Sequence, residues 1–233
     1  MRRLGLVLSV VLAAAAAGLS AGTAGAADEC KGLRVCLPVT GPWVVVPAGG
    51  VDYELACPLA GYIVAGTDAR VATPDVDVSF RAETGSPVGP GVTTHRSVVF
   101  HAVRIRPSAG TTSFQPFIGC IPSNGGGGRA LTGVTAKTAG IKPSTALFSV
   151  VVNARIRAGA QTVRAACPAN AQLVDATHAI AFRQAAAPAA EQRAAVRVTR
   201  AASRGAVVAR VTATAAAGPR AELQLRAVCA RAR

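Results

Sequence analysis

Two cysteine spans of nearly equal length govern what this chain can fold into. Ala56-Cys57-Pro58 opens a segment closed by Cys120, and Ala166-Cys167-Pro168 opens one closed by Cys229, at spacings of 63 and 62 residues. A duplicated unit, each copy stapled by one disulfide, leaves this signature. Aligned without gaps, residues 47–69 against 157–179 share eight identities in 23 positions, among them Gly49/Gly159, Val64/Val174 and Thr67/Thr177. Composition alone gives about two or three, at roughly one match in ten. Further downstream the copies diverge in length and sequence.

The chain starts with Arg2 and Arg3, a 16-residue apolar run over 4–19 and small residues at 24–27, the layout of a secretory signal cleaved after Ala27. The run is shorter than the roughly 20 residues of a spanning helix, and no later segment reads as a span. In an exported chain, six cysteines read as bridges rather than as zinc ligands or redox thiols. The duplication pairs Cys57 with Cys120 and Cys167 with Cys229, leaving Cys30 for Cys36. The expected organisation is a signal peptide over 1–27, a first β-domain over 28–122 that includes the Cys30/Cys36 loop, a Gly-rich linker over 123–130 and a basic second β-domain over 131–233.

Both domains read as strand. Segments 43–46, 62–64, 76–80, 97–105 and 114–118 are rich in β-branched or aromatic residues and bounded by Gly and Pro, as are 148–156, 172–174, 179–182, 206–211 and 221–228 in the second copy. In the last, Leu223, Leu225 and Ala227 alternate with Glu222, Gln224 and Arg226, the pattern of a half-buried strand. The Ala, Glu and Gln content of 185–195 suits a short helix. The expected fold is therefore all-β, two tandem antiparallel β-sandwiches with one internal disulfide each. The cysteine spacing suits an immunoglobulin-like topology, although the Trp that marks true immunoglobulin domains is missing between the paired cysteines.

Charge is segregated. Residues 28–120 carry 7 basic and 8 acidic side chains, a net of −1, whereas residues 121–233 carry 16 and 3, a net of +13. A preference for Arg over Lys across the chain explains the residue type but not the loss of acids from the second half. Such asymmetry points to a polyanion, an anionic cell-wall polymer or membrane surface, and Arg193, Arg197, Arg200, Arg204 and Arg210 form the densest run. Nucleic acid is disfavoured, because Phe148 and Phe182 are the only aromatic residues after Cys120 and single strands need stacking platforms. Trp43, Tyr53 and Tyr62 leave sugar stacking open in the first half.

Catalytic motifs are sparse. His95, His101 and His178 lack an evident nucleophile, no Gly-x-Ser-x-Gly elbow occurs, and every thiol is assigned to a bridge. No cofactor or metal is expected. Asp68, Asp75 and Asp77, with Asp52 and Glu54 nearby, form the one acidic cluster, a weak candidate for calcium or for carboxylate chemistry and more simply a charged edge that deters strand pairing. Leu37-Pro38-Val39-Thr40-Gly41 matches a sortase signal out of its C-terminal context, so it reads as a turn before the Trp43 strand. The expectation is a secreted, non-enzymatic, envelope-associated protein that binds an anionic surface through its second domain. The alternatives are an extracellular hydrolase using the acidic cluster and a purely structural or partner-binding module.

Overall fold

The structure, a computed structural model, describes residues 28–31, 33, 35–82, 96–106, 111–123, 147–203 and 205–231. Residues 124–130 of the expected linker, together with the leader, His95 and Arg204, lie outside the described residues. The fold is all-β. Residues before 124 supply β1 (Leu37–Thr40), β2 (Trp43–Val46), β3 (Val51–Ala56), β4 (Tyr62–Val71), β5 (Val76–Ala82), β6 (Ser97–Arg104) and β7 (Thr112–Pro122). Residues after 146 supply β8 (Leu147–Arg155), β9 (Gly159–Ala166), β10 (Ala171–Phe182), the short helix α1 (Ala190–Ala194), β11 (Val196–Ser203), β12 (Ala206–Ala213) and β13 (Ala221–Arg231). Strands β3, β9 and β11 fall where sequence reading expected none, because Asp, Glu, Gln, Arg and Ala dilute their β-branched content. Helix α1 forms inside the segment expected to be helical.

A seven-stranded sheet runs β1-β7-β2-β10-β13-β8, with β4 on the other edge of β7, and two three-stranded sheets run β3-β6-β5 and β11-β12-β9. All pairings are antiparallel. The strand order β3-β6-β5 with β4-β7 in the first half recurs as β9-β12-β11 with β10-β13 in the second. The two halves meet where β2 pairs with β10, Trp43 opposite Phe182 and Val44 opposite Ala181. Val44 and Val46 belong to a first core with Val51, Tyr53, Phe100, Phe114 and Ile118, whereas Val45 belongs to a second with Val207, Val211, Leu223 and Leu225. Successive strand side chains point to opposite faces, so the two cores lie on opposite faces of the long sheet. Strand β10 agrees, placing Ala179 and Ala181 in the first core and Phe182, with Ile180 packed against it, in the second.

The three bridges pair as expected: Cys30 with Cys36, Cys57 with Cys120, Cys167 with Cys229. The long bridges occupy matching places, running from the residue after β3 into β7 and from the residue after β9 into β13. Sequence alignment and structural register differ by one residue beyond them. Val64 lies opposite Cys120 and Leu173 opposite Cys229, each followed by a β-bulge, so Val64 corresponds to Leu173 and not to Val174. The cause is one extra residue in the loop after Cys57, and it places Thr177, not His178, at the position of Asp68.

Two local features depart from expectation. Leu37–Thr40 is no turn: it forms β1 along the same edge of β7 that β2 continues. Gly41 bridges the two by donating its N–H to the Pro116 carbonyl (2.8 Å) and accepting from Gln115 Nε2 (3.0 Å). The turn containing Cys30 sits on the facing pair Gly66 and Gly119, where a Cβ would come within 2.0 and 2.2 Å of the Glu29 carbonyl oxygen. Only glycine at both positions leaves room for that backbone.

Candidate functional site

The sheet β11-β12-β9 has an inner face of Val196, Val207, Ala209, Val211, Val163 and Ala165, all buried. Side chains directly opposite one another share a face, so register defines the outer one. It consists of the rows Arg197-Thr212-Ala160, Thr199-Arg210-Thr162 and Ala201-Val208-Arg164. One arginine falls in each row and on a different strand, giving a diagonal line Arg197, Arg210, Arg164 with neighbours roughly 7–8 Å apart. All three are exposed, and among the described residues none forms an ion pair. A fourth row, Ser203-Ala206-Ala166, ends this face, and its other outward residues are Ala, Thr and one Val, so no acid on it neutralises the guanidinium groups.

Of the run expected from sequence, Arg197 and Arg210 belong to this line. Arg193, on α1, is turned aside and donates to Thr111 Oγ1 (3.0 Å) and to the Pro188 carbonyl. Arg200 lies opposite the buried Ala209, faces inward at the sheet edge and donates to the Ala176 carbonyl of β10. Arg164 was overlooked by sequence reading. Its alternation with Val163 and Ala165 is a signal that becomes usable once β9 is known to be a strand.

Between the halves, the polar side of β13 is not solvated. Glu222, Gln224 and Arg226, expected to face water, are buried at 9%, 2% and 6% exposure because β3 lies over them. Arg226 Nε donates to Glu54 Oε2 (3.0 Å), Tyr53 Oη to Glu222 Oε1 (3.3 Å), and Arg183 Nε to Glu222 Oε2 (2.6 Å). Gln224 accepts from the Glu54 backbone N–H (2.7 Å) and donates to the Glu54 carbonyl (2.9 Å). Burial and the neighbouring Glu222 carboxylate raise the Tyr53 phenol well above its ordinary range, so it stays a donor.

A second inter-half feature is a cleft of about 310 Å³ lined by Asp52, His101, Thr177, His178 and Arg200. His101 Nδ1 lies 2.7 Å from Asp52 Oδ1. Burial, then the Arg200 guanidinium, lower the pKa of His178 below its ordinary 6.5. Its folded state therefore resists a proton that the unfolded chain accepts, and stability falls as pH drops below about 6.5. Replacing His178 by Gln is expected to flatten that loss. Thermal unfolding from pH 7.5 down to 5.5 measures it, and parallel curves for both proteins would refute the assignment.

Asp68, Asp75 and Asp77 are not gathered into a cluster. Asp68 lies on β4 and accepts the Ala69 N–H (2.7 Å), whereas Asp75 precedes β5 and Asp77 lies on it, in a different sheet. Among the described residues no three His, Cys, Asp or Glu side chains are placed to hold a metal ion. Trp43 and Tyr53 are buried at 4% and 2% exposure, which removes them as stacking platforms for a sugar. Among the described residues no helix is long and apolar enough to cross a membrane, and the three disulfides fit an oxidising compartment. Comparison with protein-family models, with curated proteins and with solved structures returns no match.

Proposed function

We propose that this is an exported, non-enzymatic protein that associates with an anionic polymer or membrane surface of the cell envelope through the outer face of β11-β12-β9. The observation that carries the reading is the exposed line Arg164, Arg197 and Arg210 on a face without acids. Guanidinium forks suit the phosphates and carboxylates of such surfaces, and a flat sheet face suits an extended target better than a small molecule. In this reading the apolar run over 4–19 belongs to a cleaved signal. The matching strand orders and bridges support reading the halves as two β-sandwiches of immunoglobulin-like kind derived by duplication, with the first acting as scaffold and the second as contact surface.

The test is sedimentation with isolated cell walls, and with phosphatidylcholine vesicles with or without phosphatidylglycerol, across a salt series. Each basic residue close to an anionic membrane contributes about 1 kcal/mol. The triple variant Arg164→Gln, Arg197→Gln, Arg210→Gln is therefore expected to bind about 100-fold more weakly. Binding that persists at 1 M salt, where the screening length is about 3 Å, would sink the electrostatic account.

A further inference from the structure

On the opposite side of the second half, the ends of three strands border an open concavity of about 380 Å³. Asn153 and Arg155 of β8, Arg183 just past β10, Arg220 and Glu222 supply its polar lining. Glu222 lies directly opposite Arg155 in the sheet, and Gln224 directly opposite Asn153, so these side chains share the face that carries the first core. The Arg197, Arg210, Arg164 line points away from the other face, and the two features are separate.

Each side-chain acceptor oxygen of the lining already accepts a hydrogen bond, whereas several of its donors are left over. Both carboxylate oxygens of Glu222 are occupied, one by the Tyr53 hydroxyl and one by Arg183 Nε. Arg155 is pinned by its own Nε, which donates to the Pro219 carbonyl (2.8 Å). Two guanidinium groups are thus oriented through Nε, and their terminal nitrogens have no protein partner among the described residues. The Arg220 carbonyl accepts the Arg183 backbone N–H (3.0 Å), which fixes the backbone of a third, exposed arginine in the lining.

Asn153 is oriented from a distance. The backbone N–H and C=O of Glu54 fix the amide of Gln224, whose Nε2 then donates to Asn153 Oδ1 (3.1 Å). The Asn153 NH2 is left for the concavity. Three guanidinium groups against one carboxylate give a net charge of +2. A lining of donors with that charge matches a dianionic oxyanion with more than two oxygens, for which two forks offer parallel N–H pairs.

We propose that this concavity binds a phosphate group, held by the forks of Arg155 and Arg183 with Arg220 and the Asn153 amide completing the shell. The site is independent of the surface association proposed above, because its residues are not those of the arginine line.

Isothermal titration of the full, disulfide-bonded chain with inorganic phosphate at pH 7.5 tests it. Saturable binding at one site is expected, weakened at least tenfold by Arg155→Gln and by Arg220→Gln and unchanged by Arg197→Gln. Arg155→Lys restores charge without the fork and is expected to remain weak. Among the described residues the Arg220 side chain, which is exposed, makes no hydrogen bond or ion pair, so its variant keeps the test decisive if Arg155→Gln fails to fold. Phosphatidate vesicles form a second arm: Arg220-dependent binding there as well admits a lipid headgroup, and its restriction to inorganic phosphate admits only soluble phosphates. Absence of saturable phosphate binding at millimolar concentration, or binding that Arg155→Gln and Arg220→Gln leave unchanged, would overturn the proposal.

Discussion

Arg226→Met is expected to lower stability by about 3–5 kcal/mol, the range for breaking one partner out of a buried ion pair. The side chains of Arg226 and Glu54 are 7% and 10% exposed, and they join residues 172 positions apart in sequence. Truncating the arginine leaves the Glu54 carboxylate of β3, facing β13, without its countercharge, in surroundings where water cannot reach it freely. The double variant Glu54→Leu, Arg226→Met is expected to recover most of the loss, because removing both charges removes both desolvation costs. Denaturant unfolding followed by fluorescence gives the measurement directly, since the single tryptophan, Trp43, is buried on β2 beside β10. A loss below about 1 kcal/mol in Arg226→Met would place the pair in the weak class of exposed salt bridges, and the seam between the halves would not be a dry one.

Comparable in size is the effect of opening a long bridge. Cys167→Ala with Cys229→Ala releases a span of 62 residues, which in the chain-entropy model costs about 4 kcal/mol. For a chain of this size that corresponds to a fall in Tm of roughly 8–16 °C. The same exchange at Cys57 and Cys120, separated by 63, is expected to cost the same, whereas Cys30 and Cys36, separated by 6, give about half. Calorimetry of the three paired variants checks the order. If the short bridge proved the costliest, packing of its turn on Gly66 and Gly119, and not closure of the chain, would dominate its contribution.

What the sequence could reveal follows the range of the interactions involved. Cysteine pairing was legible because an even count and two nearly equal spans constrain it, and strands such as Trp43–Val46 were legible from β-branched runs. The polar side of β13 was misread because alternation shows that two faces differ, not what covers them. Its cover, Tyr53 and Glu54, comes from the other half of the chain. The arginine line was half visible: clustering in sequence picked out Arg197 and Arg210 but also Arg193 and Arg200, which point elsewhere. Arg164 joins them through register, which depends on pairing between β9 and β12 and not on proximity along the chain. The donor-lined concavity is further still from a sequence pattern, since Asn153, Arg183 and Arg220 meet only where three strands end together.

Strand β2 has no face to spare. Val44 and Val46 are sealed into one core and Val45 into the other, all at 6% exposure or less, so no position among them is free to drift toward a polar residue. A slip of one residue would trade the contents of both cores at once. The halves, though built alike, are therefore bound to evolve as one: a change of volume on either side of these three valines must be met by the side across the sheet.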